Sequence, residues 1–233
     1  MYPQRRRRMV SPALGLGLLA ALVVLALSAC GGEKQQESKP RPLPEDPKAL
    51  RPGEYRSEEF KPSLSFRVGK GWPSAPLEAS DVLVIARGET KVIGFVNAQE
   101  VYKPTRTGTP NVVDAPEDMV GWFQQHPYLQ TDKPGPVTVG GVKGVQFDVV
   151  VEDLPEDYSG VCPGCGVGSG VGIFRLSSGF PLAYGEADKS RLIVLEDVKG
   201  ETVTLGFSSP ATEFDEFAPE AQKVIDTVKW TGS

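Results

Sequence analysis

Paired apolar runs joined by very short turns constrain this chain more than any other feature. Residues 81–87 (DVLVIAR) and 92–101 (VIGFVNAQEV) flank Gly88-Glu89-Thr90, residues 137–139 and 145–151 lie either side of Gly140-Gly141, and residues 191–198 and 201–207 flank Lys199-Gly200. An alternation with a period of two turns one face of each run inward, and connections this short join antiparallel neighbours. In 145–151 the inward set is Val145, Phe147, Val149 and Val151. Further strands are expected at 63–68, 172–176 and 182–185, so the core is expected to be an antiparallel sheet.

Two segments change period. Asp114 followed three residues later by Glu117 reads as a helix start, and Met119, Trp122, Phe123 and His126 recur at i, i+3, i+4, i+7 until Pro127. Near the end, Phe214, Phe217, Ala221, Val224, Ile225 and Val228 form one apolar stripe opposite Asp215, Glu216, Lys223, Asp226 and Lys229. Pro219 is expected to kink that helix or to start its second half. An antiparallel sheet layered with one middle and one C-terminal helix is an α+β fold.

None of these elements lies in the first thirty residues. Four consecutive arginines, Arg5 to Arg8, precede an apolar run at 13–29, the pattern of an export leader, to be set aside from any account of the fold. The sequence Leu27-Ser28-Ala29-Cys30 then resembles the lipobox of bacterial lipoproteins. That resemblance implies cleavage before Cys30, a diacylglyceryl group on its thiol, and a mature protein held at the outer face of the cytoplasmic membrane. Residues 31–52 carry Pro40, Pro42, Pro44, Pro47 and Pro52 among polar residues without apolar periodicity. They are expected to be a solvated tether, leaving 53–233 as one globular domain.

The formal charge is −5, and the leader's four arginines are not balanced by any acid there, so the mature part carries −9. Basic residues are scattered among acids, whereas phosphate-backbone binding needs them clustered. Nucleic acid and anionic headgroups are therefore poor partners.

Several short motifs resemble the Mog1/PsbP-like α/β sandwich: Ser65-Phe66-Arg67-Val68 with Gly71-Trp72, hairpins either side of a middle helix, and the final Val-Ile-Asp-Thr-Val-Lys-Trp at 224–230. The closest likeness is to lipoprotein modules of high-GC Gram-positive bacteria. The resemblance implies a binding or accessory scaffold and carries over no catalytic residue.

Lipidation of Cys30 leaves Cys162 and Cys165, in Val-Cys-Pro-Gly-Cys-Gly, and an exported pair is expected to form a disulfide. The glycines at 164, 166, 168, 170 and 172 would otherwise leave that loop free. A thiol–disulfide exchange site would set the first cysteine at a helix start, which lowers its pKa, and the residues that follow do not favour a helix. A zinc site wants four ligands, and His126 is the only histidine. The glycine loop fits neither a dinucleotide nor a nucleophile-elbow register, and the acidic stretch at 152–157 lacks calcium-loop spacing. His126 is expected to pack or cap carbonyls, and Trp72, Trp122, Tyr128, Tyr158 and Tyr184 are candidate groove residues. The expected function is a membrane-anchored binding or accessory module without cofactor or metal, its partner an envelope protein or small molecule. The alternative is an envelope thiol–disulfide protein using Cys162 and Cys165.

Overall fold

The computed structural model describes residues 39–44, 49–72, 76–104, 111–155, 158 and 170–232. The segment read as an export leader, Cys30, Cys162 and Cys165 lie outside the described residues. In chain order come β1 (Arg41–Pro42), β2 (Gly53–Arg56), β3 (Leu64–Val68), β4 (Leu77–Ala79), β5 (Val82–Arg87), β6 (Lys91–Val96), β7 (Glu100–Tyr102) and β8 (Val112–Asp114). Helix α1 (Met119–Gln124) follows, then β9 (Leu129–Thr131), β10 (Gly135–Val139), β11 (Val142–Val151), β12 (Gly170–Arg175), β13 (Pro181–Gly185), β14 (Asp188–Val198) and β15 (Glu201–Pro210). Helix α2 (Phe214–Ile225) and β16 (Lys229–Trp230) close the described chain.

The largest sheet runs β10-β11-β14-β15-β6-β5-β4, with β9 also paired to β11, and two smaller sheets run β1-β2-β3-β16 and β13-β12-β7-β8. Pairing within the large sheet is antiparallel throughout. The chain is thus dominated by antiparallel sheet, with few helices. At the β14–β15 turn Lys199 and Gly200 both take positive φ, 58° and 88°, the geometry that lets a two-residue turn follow the twist of its strands. Gly140, at φ 58°, has a further reason to be glycine. A side chain there would begin 2.7 Å from the Trp230 ring, whose indole N–H donates to the Val139 carbonyl.

Strand alternation divides the apolar residues of the large sheet between two cores. Ile85, Ile93, Phe95, Ile193, Leu195, Val203 and Leu205 point to one side, where they join Phe66 of β3 and Phe214, Phe217, Val224 and Ile225 of α2. Val82, Val96, Phe147, Val149, Leu192 and Val194 point to the other, where they join Met119 and Phe123 of α1 and Ile173 and Phe174 of β12. The end of α2 is tied to β3 through Thr227, whose hydroxyl oxygen accepts from the Arg67 amide at 2.8 Å.

Three expectations need correction. The run 92–101 is two strands, because Asn97 leaves the sheet: its amide donates to the Asp81 carbonyl and its side chain to the Lys61 carbonyl. Residues 100–102 then enter a different sheet. The middle helix is short and starts later than expected, since Asp114 pairs with Glu100 in β8–β7. Its cap is Asp118, whose carboxylate accepts from the Gly121 amide at 2.7 Å, and Pro116 disfavours helix at the residue before it. Helix α2 runs through Pro219 as one continuous helix.

The tether is the third. Of residues 31–52, those described belong to the fold: Leu43 is 7% exposed and Leu50 4%, both within the α2-side core. The Leu50 amide donates to the Trp72 carbonyl, Leu43 donates to the Arg56 carbonyl, and β1 pairs in parallel with β2. The Arg41 guanidinium lies 4.6 Å from the Tyr55 ring centre and donates to the Arg51 and Pro52 carbonyls. Two leucines suffice to dock a proline-rich arm when the surface beneath them is apolar and its backbone groups find partners.

Candidate functional site

On the side of the large sheet away from α2, strands β5, β6, β14 and β15 form the floor of a cavity of about 560 Å³. Its other wall comes from β12 and β13, through Phe174, Leu182 and Tyr184. That volume falls in the range of small-molecule sites, roughly 300–1,000 Å³. The floor is hollow because small residues meet across neighbouring strands. Gly94 of β6 is registered against Gly206 of β15, and Ser208 of β15 against Ser190 of β14. A Cβ added at Gly94 would touch only a Val84 methyl, at 4.0 Å, whereas one at Gly206 would strike the Arg191 carbonyl.

Two hydroxyls in the floor lack partners. Ser190 is 2% exposed and Thr204 4%, both line the cavity, and neither side chain hydrogen-bonds another described residue. Both residues line the cavity, so their hydroxyls are available to whatever occupies it. At the margin stand Glu89 and Glu186, both exposed, with the half-buried Asp188. Burial holds the Asp188 carboxyl above its ordinary pKa, opposed by the Gly185 backbone. The Tyr184 hydroxyl is raised further, by burial alone.

A second hollow, of about 420 Å³, is polar and lined by Ser80, Asp81, Asn97, Gln99, Glu100 and Arg175, among others. Its groups mostly satisfy one another. Arg175 pairs with Glu100 at 2.8 Å, Gln99 donates to Asn97 at 3.1 Å, and Asp81 accepts from the Ser177 amide at 2.5 Å.

The candidate aromatics separate into three places. Trp72 is buried in the α2-side core against Phe217. Trp122, Tyr128 and Tyr158 cluster around His126: ring centres are 5.1 Å apart for Trp122–His126, 6.0 Å for His126–Tyr128 and 5.4 Å for Tyr128–Tyr158. Tyr184 lines the cavity. His126 itself is 4% exposed, and its Nδ1 accepts from the Tyr128 amide at 3.3 Å, which puts the proton of the neutral ring on Nε2. Burial lowers its pKa to about 4, and Nε2 is enclosed without a partner among the described residues. No group of three His, Cys, Asp or Glu among the described residues is placed to hold a metal ion.

Of the cavity residues the sequence reading named Tyr184 alone and missed those of the floor. Thr204, Gly206 and Ser208 occupy the positions that a half-buried strand turns to solvent. Their one distinguishing mark is the pair of glycines inside apolar runs, Val92-Ile93-Gly94-Phe95 and Leu205-Gly206-Phe207, since an interior strand glycine marks a close approach or an open space.

No family model matches this sequence, and no curated protein does. Among solved structures, the solution structure of cyanobacterial PsbP (CyanoP) from Synechocystis sp. PCC 6803 is similar at 12% identity, with a TM-score of 0.40 over 88% of this chain and 99% of that one. A likeness that distant transfers no residue and no ligand.

Proposed function

We propose that this protein is an exported module, anchored by lipid on Cys30 at the outer face of the cytoplasmic membrane, that binds a small molecule with an apolar body and performs no chemistry on it. The observation that carries the reading is the 560 Å³ cavity, with apolar walls and two partnerless hydroxyls in its floor. A few fixed polar groups in an apolar hollow orient a ligand. The only histidine, His126, is not among the cavity's lining residues and is packed among aromatics with Nδ1 on a backbone amide.

The same reading takes the fold as α+β with α1 and α2 on opposite faces of the large sheet, in keeping with the Mog1/PsbP-like motifs. Membership of the two cores supports it. Among the described residues no helix is long and apolar enough to cross a membrane, and the anchor rests on Leu27-Ser28-Ala29-Cys30.

Two measurements test the two halves of the reading. Cys30→Ala should abolish membrane attachment of the mature form, and a variant still processed and attached would refute the anchor. The neutral probe 4-phenylbutanol, followed by ligand-observed NMR with the full chain in lipid nanodiscs and empty nanodiscs as the blank, should bind, and Gly94→Leu should displace it by filling the floor. Binding unaffected by both Gly94→Leu and Val92→Trp would refute the cavity as the site.

A further inference from the structure

The charges around the cavity are sorted by strand alternation. Residues 83, 85 and 87 of β5, 91, 93 and 95 of β6, and 189, 191, 193 and 195 of β14 face the α2 side, and residues one position out of step face the cavity. Every cation of these strands falls in the first set, and each is committed there. Arg87 pairs with Glu220. Lys91 reaches Glu213 at 2.7 Å. Lys189 and Arg191 both grip Asp148, at 3.0 and 2.7 Å, and lie over the Phe214 ring.

The cavity lining contains no lysine or arginine. Its ionisable carboxyls are Glu89, in the β5–β6 turn, and Glu186 and Asp188, at the β13–β14 connection. None of the three has an ion-pair partner among the described residues. Carboxylates beside an apolar, low-dielectric hollow concentrate a negative potential in it, while the buried Ser190 and Thr204 hydroxyls supply hydrogen bonds deeper in. An anionic ligand would meet three like charges and no compensating cation.

We infer that the ligand of this cavity is a cationic amphiphile: an apolar body lying on Val84, Gly94 and Leu182, and a protonated or quaternary amine at the margin between Glu89, Glu186 and Asp188. The inference rests on the cavity being a binding site, as proposed above, and adds the sign and the position of the ligand's charge.

Three water-soluble probes with one apolar body separate the two levels: 4-phenylbutylamine, 4-phenylbutanol and 4-phenylbutyrate, titrated against the full chain in lipid nanodiscs with empty nanodiscs as the blank. The amine should bind at least about tenfold more tightly than the alcohol, and the carboxylate more weakly than either. Raising the salt should narrow the gap. The triple variant Glu89→Gln, Glu186→Gln, Asp188→Asn should bind amine and alcohol alike, and Asp188→Asn alone should lose part of the preference should the triple fail to fold. Equal binding of amine and alcohol by the native chain, or tightest binding of the carboxylate, would overturn the charge assignment and leave the cavity as a site. Failure of all three probes to bind would instead overturn the site itself.

Discussion

Removing the arm ahead of residue 53 should destabilise the domain severely, although composition marks that arm as a dispensable spacer. Leu43 and Leu50 are almost fully buried, and returning such a side chain to water costs about 1.5–3 kcal/mol each. The deletion also uncovers Trp72 and Tyr55, now 4% and 5% exposed, and strips the Trp72 carbonyl and the β2 edge of their partners. A total of roughly 4–6 kcal/mol is a large part of the roughly 5–15 kcal/mol that holds an ordinary domain together. At about 2–4 °C per kcal/mol for a domain of this size, Tm should fall by roughly 10–20 °C. The assay is thermal unfolding followed by circular dichroism, comparing chains that begin at residues 31 and 53. Leu50→Ala in the longer chain gives an independent reading, expected at about 2–4 kcal/mol by chemical denaturation. Equal melting of the two chains, with Leu50→Ala silent, would refute the docking of the arm.

His126 should shape the acid limb of stability. Its folded pKa lies near 4 against an ordinary 6.5, so the unfolded chain takes up a proton that the folded chain refuses: this contribution is intact above about pH 6.5 and falls by about 3 kcal/mol on going down to pH 4. His126→Asn, which keeps an acceptor for the Tyr128 amide, should flatten that decline, and urea titrations at pH 7 and 4.5 with the same loss in both proteins would contradict it. Gly140→Ala should cost at least about 1–2 kcal/mol, from positive φ together with the Trp230 ring, and an unchanged urea midpoint would show that Trp230 can move aside. If Cys162 and Cys165 form the expected bridge, Cys162→Ser with Cys165→Ser should lower stability by no more than about 2 kcal/mol, because the loop it closes is so short. A much larger loss in denaturant titrations would give the pair a greater structural part than a loop clamp.

What could be read in advance follows the range of the interactions involved. The hairpins at Gly88-Glu89-Thr90, Gly140-Gly141 and Lys199-Gly200 were legible because turn chemistry and a period of two are local, and the stripe from Phe214 to Ile225 was legible for the same reason. The start of α1 was misplaced because Asp114 and Asp118 are both good caps, and the choice is made by Glu100, fourteen residues back, which takes Asp114 into a strand pair. The arm was misread because Leu43 and Leu50 show no period; their burial depends on Trp72 and Tyr55 being beneath them. The cavity was invisible for a related reason. Thr204 and Ser208 obey the polar-outward rule, and only the return of β13 over that face turns an outer surface into an interior.

The docked arm also changes what an anchor at Cys30 would permit. Were residues 31–52 all free, a chain of 22 residues could extend about 75 Å, and the domain would sweep a broad volume above the bilayer. Arg56 instead holds the Pro40 carbonyl at 2.8 Å and β1 begins at Arg41, so at most the ten residues 31–40 remain to pay out, about 35 Å. An anchor at Cys30 would thus hold the start of the described chain within about 35 Å of the lipid surface.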